Sequence, residues 1–175
     1  MQLRVSVFAI LLFAALVGCL TPSATNSRPD DFSITYQWQE GSLPPPFHYE
    51  YRITLQPTGQ GEVVMIPDYP SEQVPTWTET FTVQPVALDN LYQVMVDNGL
   101  FTHNWRAQEN PPVGGSSQSM VVTAHGEQIT IPAYVMPGLE TTVTEMYSAV
   151  TALVPPNAWA TLDMQRQQYI QEHQD

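Results

Sequence analysis

The sequence contains no lysine, and its five positive charges are arginines set against 17 acidic residues. The formal net charge at pH 7 is −12. Nucleic-acid binding depends on Lys and Arg side chains that neutralise phosphates, and electrostatic adhesion to anionic lipid depends on basic clusters. The composition therefore argues against both kinds of binding. It predicts an acidic protein whose molecules repel one another and so stay in solution.

Cysteine is nearly absent too. Cys19 is the single cysteine, so no disulfide can form within the chain. It follows Arg4, an uncharged apolar run over residues 5–17 and then Gly18, a pattern typical of a secretory signal peptide. That run is too short to span a bilayer, which takes about 20 apolar residues. Residues 1–18 are therefore expected to be a signal peptide that is removed.

The leader ends in Leu16-Val17-Gly18-Cys19, which resembles the lipobox of bacterial lipoproteins. The resemblance implies that Cys19 receives a diacylglyceryl group on its sulfur and becomes the mature N-terminus. The partner would then be a lipid bilayer, on the extracytoplasmic side of the cell envelope. Leu20 stands where an Asp would resemble an inner-membrane retention signal, which favours the outer membrane in a cell with two membranes. The alternative is an ordinary signal peptide with a chance cysteine near its end.

Two regions follow the leader. Residues 19–31 are rich in Ser, Thr, Pro and Asn without periodicity, and they predict a flexible tether behind the lipidated N-terminus. Residues 32–175 are long enough for one domain with a substantial core.

Strict alternation of apolar and polar residues predicts strands over residues 32–38 and 47–55. Further strands are expected over residues 62–66 and 77–83, and a compact hairpin over residues 119–132 has His125-Gly126 at its turn. Because short turns join most of these strands, antiparallel pairing is favoured.

The period changes to that of a helix in three places. Pro85 suits the first turn of a helix on Leu88, Leu91, Tyr92 and Met95, and Gly99 suits the residue just past its end. A second helix carries Val143, Met146, Tyr147, Val150 and Val154. Asn157 is predicted to cap a third helix. Because Asp163 and Arg166 interrupt its apolar side, this helix is expected either to lie at the surface or to fray. The sequence predicts an α+β fold: an antiparallel sheet of about six strands with two or three helices packed on one face.

No catalytic motif, cofactor fingerprint or metal-ligand spacing stands out. The four histidines, His48, His103, His125 and His173, include no pair three or four residues apart. The loop acids Asp30, Asp31 and Asp68 do not form a calcium-loop pattern. Glu50 and Glu62 could face each other across a hairpin as a carboxylate pair of the glycosidase type, but many pairs in a sheet could do so. No catalytic residue, metal ligand or cofactor is predicted.

Aromatic residues suggest a contact surface instead. Tyr36, Trp38, Phe47, Tyr49 and Tyr51 are concentrated in the first two predicted strands, either as a core face under the helices or as an exposed stacking surface. Trp105 and Arg106 lie in a long loop over residues 102–117 and are the predicted partner-contact residues, because Trp and Arg are enriched in binding hot spots.

The favoured hypothesis is a non-enzymatic, membrane-anchored lipoprotein that binds an envelope protein or glycan, or assists envelope assembly. The first alternative is a small cell-envelope hydrolase acting on glycan or peptide, which requires convergent carboxylates or a Ser–His pair in a pocket. The second is a solute-capturing or inhibitor domain, which requires a deep apolar cavity.

Overall fold

The computed structural model describes residues 27–174, which form six β-strands and three α-helices. The leader, Cys19 and most of the predicted tether lie outside the described residues. None of the helices between residues 27 and 174 is long and apolar enough to cross a membrane. The strands are β1 (Ser33–Gln39), β2 (Glu50–Leu55), β3 (Gln60–Ile66), β4 (Trp77–Thr82), β5 (Ser117–Ala124) and β6 (Glu127–Ile131); the helices are α1 (Pro85–Asp97), α2 (Glu140–Thr151) and α3 (Pro156–His173).

The strands form one antiparallel sheet in the order β4-β3-β2-β1-β5-β6. The first four are neighbours in chain order, as short antiparallel connections dictate. After β4 the chain leaves one edge, passes through α1, and returns on the other side of β1 as β5. The predicted α+β fold with an antiparallel sheet and helices is confirmed.

One face of the sheet, the covered face, carries the apolar half of the alternation. Ile34 on β1, Ile53 on β2 and Val63 on β3 are at most 1% exposed. They belong to one core with buried helix residues such as Met95 and Leu162. The opposite face, the open face, carries the polar half. The period of two in a strand thus sends alternate residues into the core and into solvent.

The helix boundaries match the expected chemistry in α1 but not at the start of α3. Pro85 occupies the first turn of α1, and Gly99 has φ 70°, a conformation that glycine adopts without a steric cost. For α3 the prediction of Asn157 as a cap is wrong. The N-cap residue is Pro155, no side chain caps the helix, and Asn157 lies within its first turn. Pro156 suits the first helical position because its missing N–H would be unpaired there in any case.

The third helix is also better packed than its sequence indicated. Leu162 is fully buried and Ile170 is 7% exposed. Arg166, which interrupts the apolar side, places its guanidinium carbon 3.9 Å from the ring centre of Tyr49 and donates to the carbonyl of Phe47 at 3.3 Å. A cation over an aromatic face is favourable, and the arginine stem covers apolar surface. The long helix can therefore pack on the sheet despite the charge.

The second strand is shorter than predicted. It begins at Glu50 rather than Phe47, and Phe47 remains 43% exposed in the connector. The Pro44-Pro45-Pro46 run ahead of it supplies no backbone N–H groups, so ladder pairing starts only after the connector has turned back.

The sheet has two ends that matter for function. At the entry end the chain enters β1 at Ser33, beside the β2–β3 turn and the β5–β6 turn at His125-Gly126. At the far end lie Gln39, Glu50 and Ser117, which are paired across β2, β1 and β5. Since β1 has seven residues at about 3.3 Å each, the two ends are roughly 20 Å apart.

Candidate functional site

The open face is a largely polar surface made mainly by Thr, Ser, Gln and a few charged residues. Strand pairing aligns these side chains in rows across the sheet. One such row crosses the five strands from β4 to β5 and consists of Thr78, Val64, Arg52, Gln37 and Ser119. No helix of the described chain packs on this face, and Arg52 and Gln37 are exposed.

A shallow groove, here called the polar groove, occupies the far half of this face. Its sides are amide, hydroxyl and charged groups, and Val64 and Ile66 supply a small apolar area beside them. Because Gln37 pairs with both Arg52 and Ser119, side chains from β1, β2 and β5 meet here. The polar lining residues are Gln37, Gln39, Glu50, Arg52, Ser117 and Ser119.

The groove continues around the far end into a second concavity, the end cleft, which shares Gln39 and Glu50 with it. Tight backbone packing forms one wall, because a Cβ on Gly41 would lie 2.9 Å from backbone atoms of Gly115. Glycine is therefore required at Gly41 for the two loops to approach. The remaining lining residues are Glu40, Ser42, His48, Tyr69, Pro70, Gly114 and Tyr134.

His48 is the most buried polar residue of the end cleft, with 5% of its surface exposed. Its ring stacks on that of Tyr69, with centroids 3.9 Å apart and planes 4° apart. Nδ1 lies 3.3 Å from the carbonyl oxygen of Gly41. A carbonyl oxygen only accepts, so Nδ1 is the donor in this contact and Nε2 is the ring nitrogen left for another partner.

Charge in the groove is sparse. Glu50 is negative and Arg52 is positive, two positions apart on one face of β2. Arg52 has no ion-pair partner among residues 27–174, where the pair of Arg28 with Asp89 is the single salt bridge. The surface therefore offers mainly neutral hydrogen-bonding groups together with one accessible cation.

The aromatic residues of the first strands belong mostly to the core. Tyr36 is 1% exposed, and its hydroxyl donates to Gln118 Oε1 at 2.7 Å. Trp38 stacks on Tyr51 with centroids 5.2 Å apart, and Tyr51 meets Trp159 of α3 edge to face. The sequence left open whether these aromatic residues form a core face under the helices or an exposed stacking surface. The cluster forms a core face, and exposed Phe47 is the exception.

Burial raises the pKa of Tyr36 and that of Tyr147 far above the ordinary value. Desolvation is the largest cause for both, because a phenolate would lose its hydration in this environment. These phenols stay protonated and act as hydrogen-bond donors rather than as bases.

Trp105 and Arg106 differ in how accessible their side chains are to a partner. Trp105 packs against the core, and its indole N–H donates to the carbonyl of Leu100 at 2.8 Å. Arg106 is exposed and donates through Nε to Asn104 Oδ1 at 3.2 Å. Trp105 therefore has a structural role, while Arg106 remains accessible. Their role in partner contact stays a prediction.

Glu50 and Glu62 do not face each other. Glu50 lies opposite Ile66, and Glu62 lies opposite Thr54. Four residues along a strand correspond to about 13 Å, which is beyond the separation that glycosidase carboxylates require. The carboxylate-pair hypothesis for these two residues is wrong.

The other singled-out residues are dispersed. Asp31 binds the β5–β6 turn, and Asp68, which is 6% exposed, accepts the N–H of Tyr69 at 2.7 Å. His125 Nε2 lies 2.9 Å from the hydroxyl of Tyr92. Over residues 27–174 no three His, Asp or Glu side chains are arranged to hold one metal ion. Cys19 lies outside the described residues.

The groove was not predicted from the sequence, which singled out only Glu50 among its polar residues. The available signal was the polar half of the strand alternation, namely Gln37 and Gln39 on one strand and Arg52 on the next. To join them with Ser117 and Ser119 one must know that β5 pairs with β1.

A comparison with models of known protein families gives no match, and a comparison with curated proteins gives none either.

Proposed function

We propose that this protein is a lipid-anchored extracytoplasmic binding protein, held to a membrane of the cell envelope through acylated Cys19, with the polar groove as its ligand site. In this proposal it is not an enzyme and uses no cofactor. The lipobox-like Leu16-Val17-Gly18-Cys19 after an apolar leader is the observation that carries the anchoring. A protein with two or three acyl chains on one cysteine stays attached, whereas one chain binds only marginally.

The groove favours a glycan as ligand. Its lining is dominated by amide and hydroxyl groups of Gln and Ser, which match the hydroxyl and amide groups of a sugar polymer. Tyr69 and Tyr134 in the adjoining end cleft offer aromatic surface for a sugar ring. With a net charge of −12, the protein would repel polyanions, so a largely neutral envelope polysaccharide fits better than nucleic acid.

The anchoring is tested with Cys19→Ser. The wild-type chain should float with membranes in a density gradient, and its N-terminal peptide should carry the added mass of fatty acyl groups. The variant should move to the aqueous fraction because it lacks the acylated sulfur. If the variant remains as membrane-bound as the wild type, or the native peptide carries no lipid, the anchoring is contradicted.

The ligand is tested with purified cell-wall sacculi as the probe, in a sedimentation assay. Arg52→Ala should weaken binding about 10- to 150-fold, because a hydrogen bond to a charged group contributes about 1.5–3 kcal/mol. Gln128→Ala is the matched control, since Gln128 is exposed on β6 and outside the groove. Absence of sacculus binding by the wild type, or equal losses in both variants, would contradict the glycan assignment.

One observation supports the alternative function, a cell-envelope hydrolase: Ser42, His48 and two glutamates line the same end cleft. Ser and His are the residue types of a nucleophile and its base, and the contact of His48 Nδ1 with the carbonyl of Gly41 leaves Nε2 as the ring nitrogen for such a role. In this case wild-type protein should release soluble fragments from sacculi, and Ser42→Ala should stop the release. If the wild type releases none, the alternative fails.

A further inference from the structure

The chain is attached to the domain before β1 begins. Arg28 Nε donates to Asp89 Oδ1 of α1 at 2.8 Å, and Arg28 Nη1 donates to the carbonyl of Pro57 at 3.3 Å. The sequence predicted this segment as the end of a flexible tether, but here it contacts the domain at two points. The contact with Pro57 places Arg28 beside the β2–β3 turn.

Asp31 adds a second attachment. Its Oδ1 accepts the N–H of His125 at 2.9 Å, and its Oδ2 accepts the N–H of Gly126 at 2.6 Å. Both turn residues have positive φ, 57° and 76°, as a two-residue type I′ hairpin turn requires. The hydrogen bond from Gly126 is the largest cause that lowers the pKa of Asp31, so the carboxylate stays charged at neutral pH.

We call Arg28 and Asp31, with their partners, the latch. All its contacts lie at the entry end of the sheet, on the β2–β3 turn, the β5–β6 turn and α1. The latch therefore fixes the point on the domain at which the N-terminal chain leaves it.

The distance from that point to the lipidated residue is short. Cys19 precedes Ser27, the first described residue, by eight positions. Eight residues reach at most about 28 Å when fully extended. If Cys19 is acylated, this reach keeps the entry end within about 28 Å of the membrane surface.

The entry end also carries two exposed apolar side chains. Val86, in the first turn of α1, is 65% exposed, and Phe101, just after α1, is 40% exposed. The Phe101 ring lies 5.7 Å from that of His125 in the β5–β6 turn. Val86 follows β4, whose last residue Thr82 pairs with Gln60 at the β2–β3 turn.

We infer that the entry end faces the bilayer and touches its interfacial layer through Val86 and Phe101, so that the polar groove at the far end faces away from the membrane. The inference rests on the proposed anchoring through Cys19. Lipid is the occupant because the anchored chain emerges at this end. The contact is apolar, since acidic Asp31 and Asp89 nearby would repel anionic headgroups.

The test uses the lipidated mature chain in phosphatidylcholine vesicles. Since Cys19 is the only natural cysteine and its sulfur would be acylated, an introduced cysteine is the single site for a thiol-reactive fluorophore. Val86→Cys probes the entry end. Val113→Cys is the control, because Val113 is fully exposed beside Gly114 of the end cleft. With brominated lipid in the vesicles, emission should fall for the label at position 86 and stay constant at position 113.

Vesicle flotation distinguishes a failure of the anchoring from a failure of the proposed orientation. If the labelled chain does not float, the anchoring itself is contradicted. If it floats and both labels are quenched equally, or the label at 113 more strongly, the orientation is wrong although the anchoring holds. Combining Arg28→Gln with Asp31→Asn should reduce the difference between the labels, and an unchanged difference would overturn the role of the latch.

Discussion

The two faces of the sheet use the same strands for opposite purposes. Ile53 and Arg52 are neighbours on β2, yet Ile53 is fully buried under the helices and Arg52 lines the polar groove. The covered face gains its stability from apolar burial and close packing. The open face contributes little to stability, and its polar side chains are available to a ligand. The difference teaches that substitutions on the open face can test function without unfolding the protein.

The largest expected effect is on the covered face. Ile53→Ala should lower the free energy of unfolding by about 2–5 kcal/mol, because it leaves a cavity between the helices and the sheet. Arg52→Ala, one residue earlier, should change it by less than about 0.5 kcal/mol. Urea unfolding followed by circular dichroism measures both. Equal losses would contradict the division of roles between the faces.

A smaller effect is expected from one buried hydroxyl. Tyr36→Phe removes the donor to Gln118 Oε1 and should cost about 1–2 kcal/mol, because that oxygen is left without this partner. The control is Tyr69→Phe, where an exposed hydroxyl donates to the carbonyl of Leu43 and water can replace it. The two variants are compared in the same urea titration, and the prediction fails if Tyr69→Phe costs as much.

The smallest expected effect is at the latch and depends on pH. The folded-state pKa of Asp31 is lowered, so its stabilisation is present above the unfolded pKa, about 3.9, and is lost as pH falls through the folded value. Wild type should therefore be more stable than Asp31→Asn at pH 5 to 7, and the difference should shrink below about pH 4.

The matched control for the latch is Asp30→Asn, because Asp30 is the exposed neighbour of Asp31. Thermal unfolding across this pH range should show no comparable pH-dependent difference for Asp30→Asn. A difference between wild type and Asp31→Asn that grows as pH falls would contradict the assigned sign.

Local pattern was sufficient for the elements themselves. Alternation at Ile34 and Tyr36 predicted a strand, and the spacing of Leu88, Leu91 and Met95 predicted a helix, since both periods follow from backbone geometry. The sequence-based prediction failed where a tertiary contact offsets an unfavourable residue in the local pattern. Arg166 looked like a surface residue of α3, but packing over the Tyr49 ring accommodates it.

The sequence by itself determined the alternation, the helix periods, the acidic charge and the leader that ends at Cys19, because each is a property of residues close together in the chain. Only the tertiary structure decided which polar residues share a groove, since Gln37 and Ser119 meet through a pairing of β1 with β5. It likewise decided where the N-terminal chain is held, because Asp31 binds a turn formed more than 90 residues later. Side-chain pattern specifies which face of an element is apolar, whereas the contacts between distant elements depend on how those faces pack.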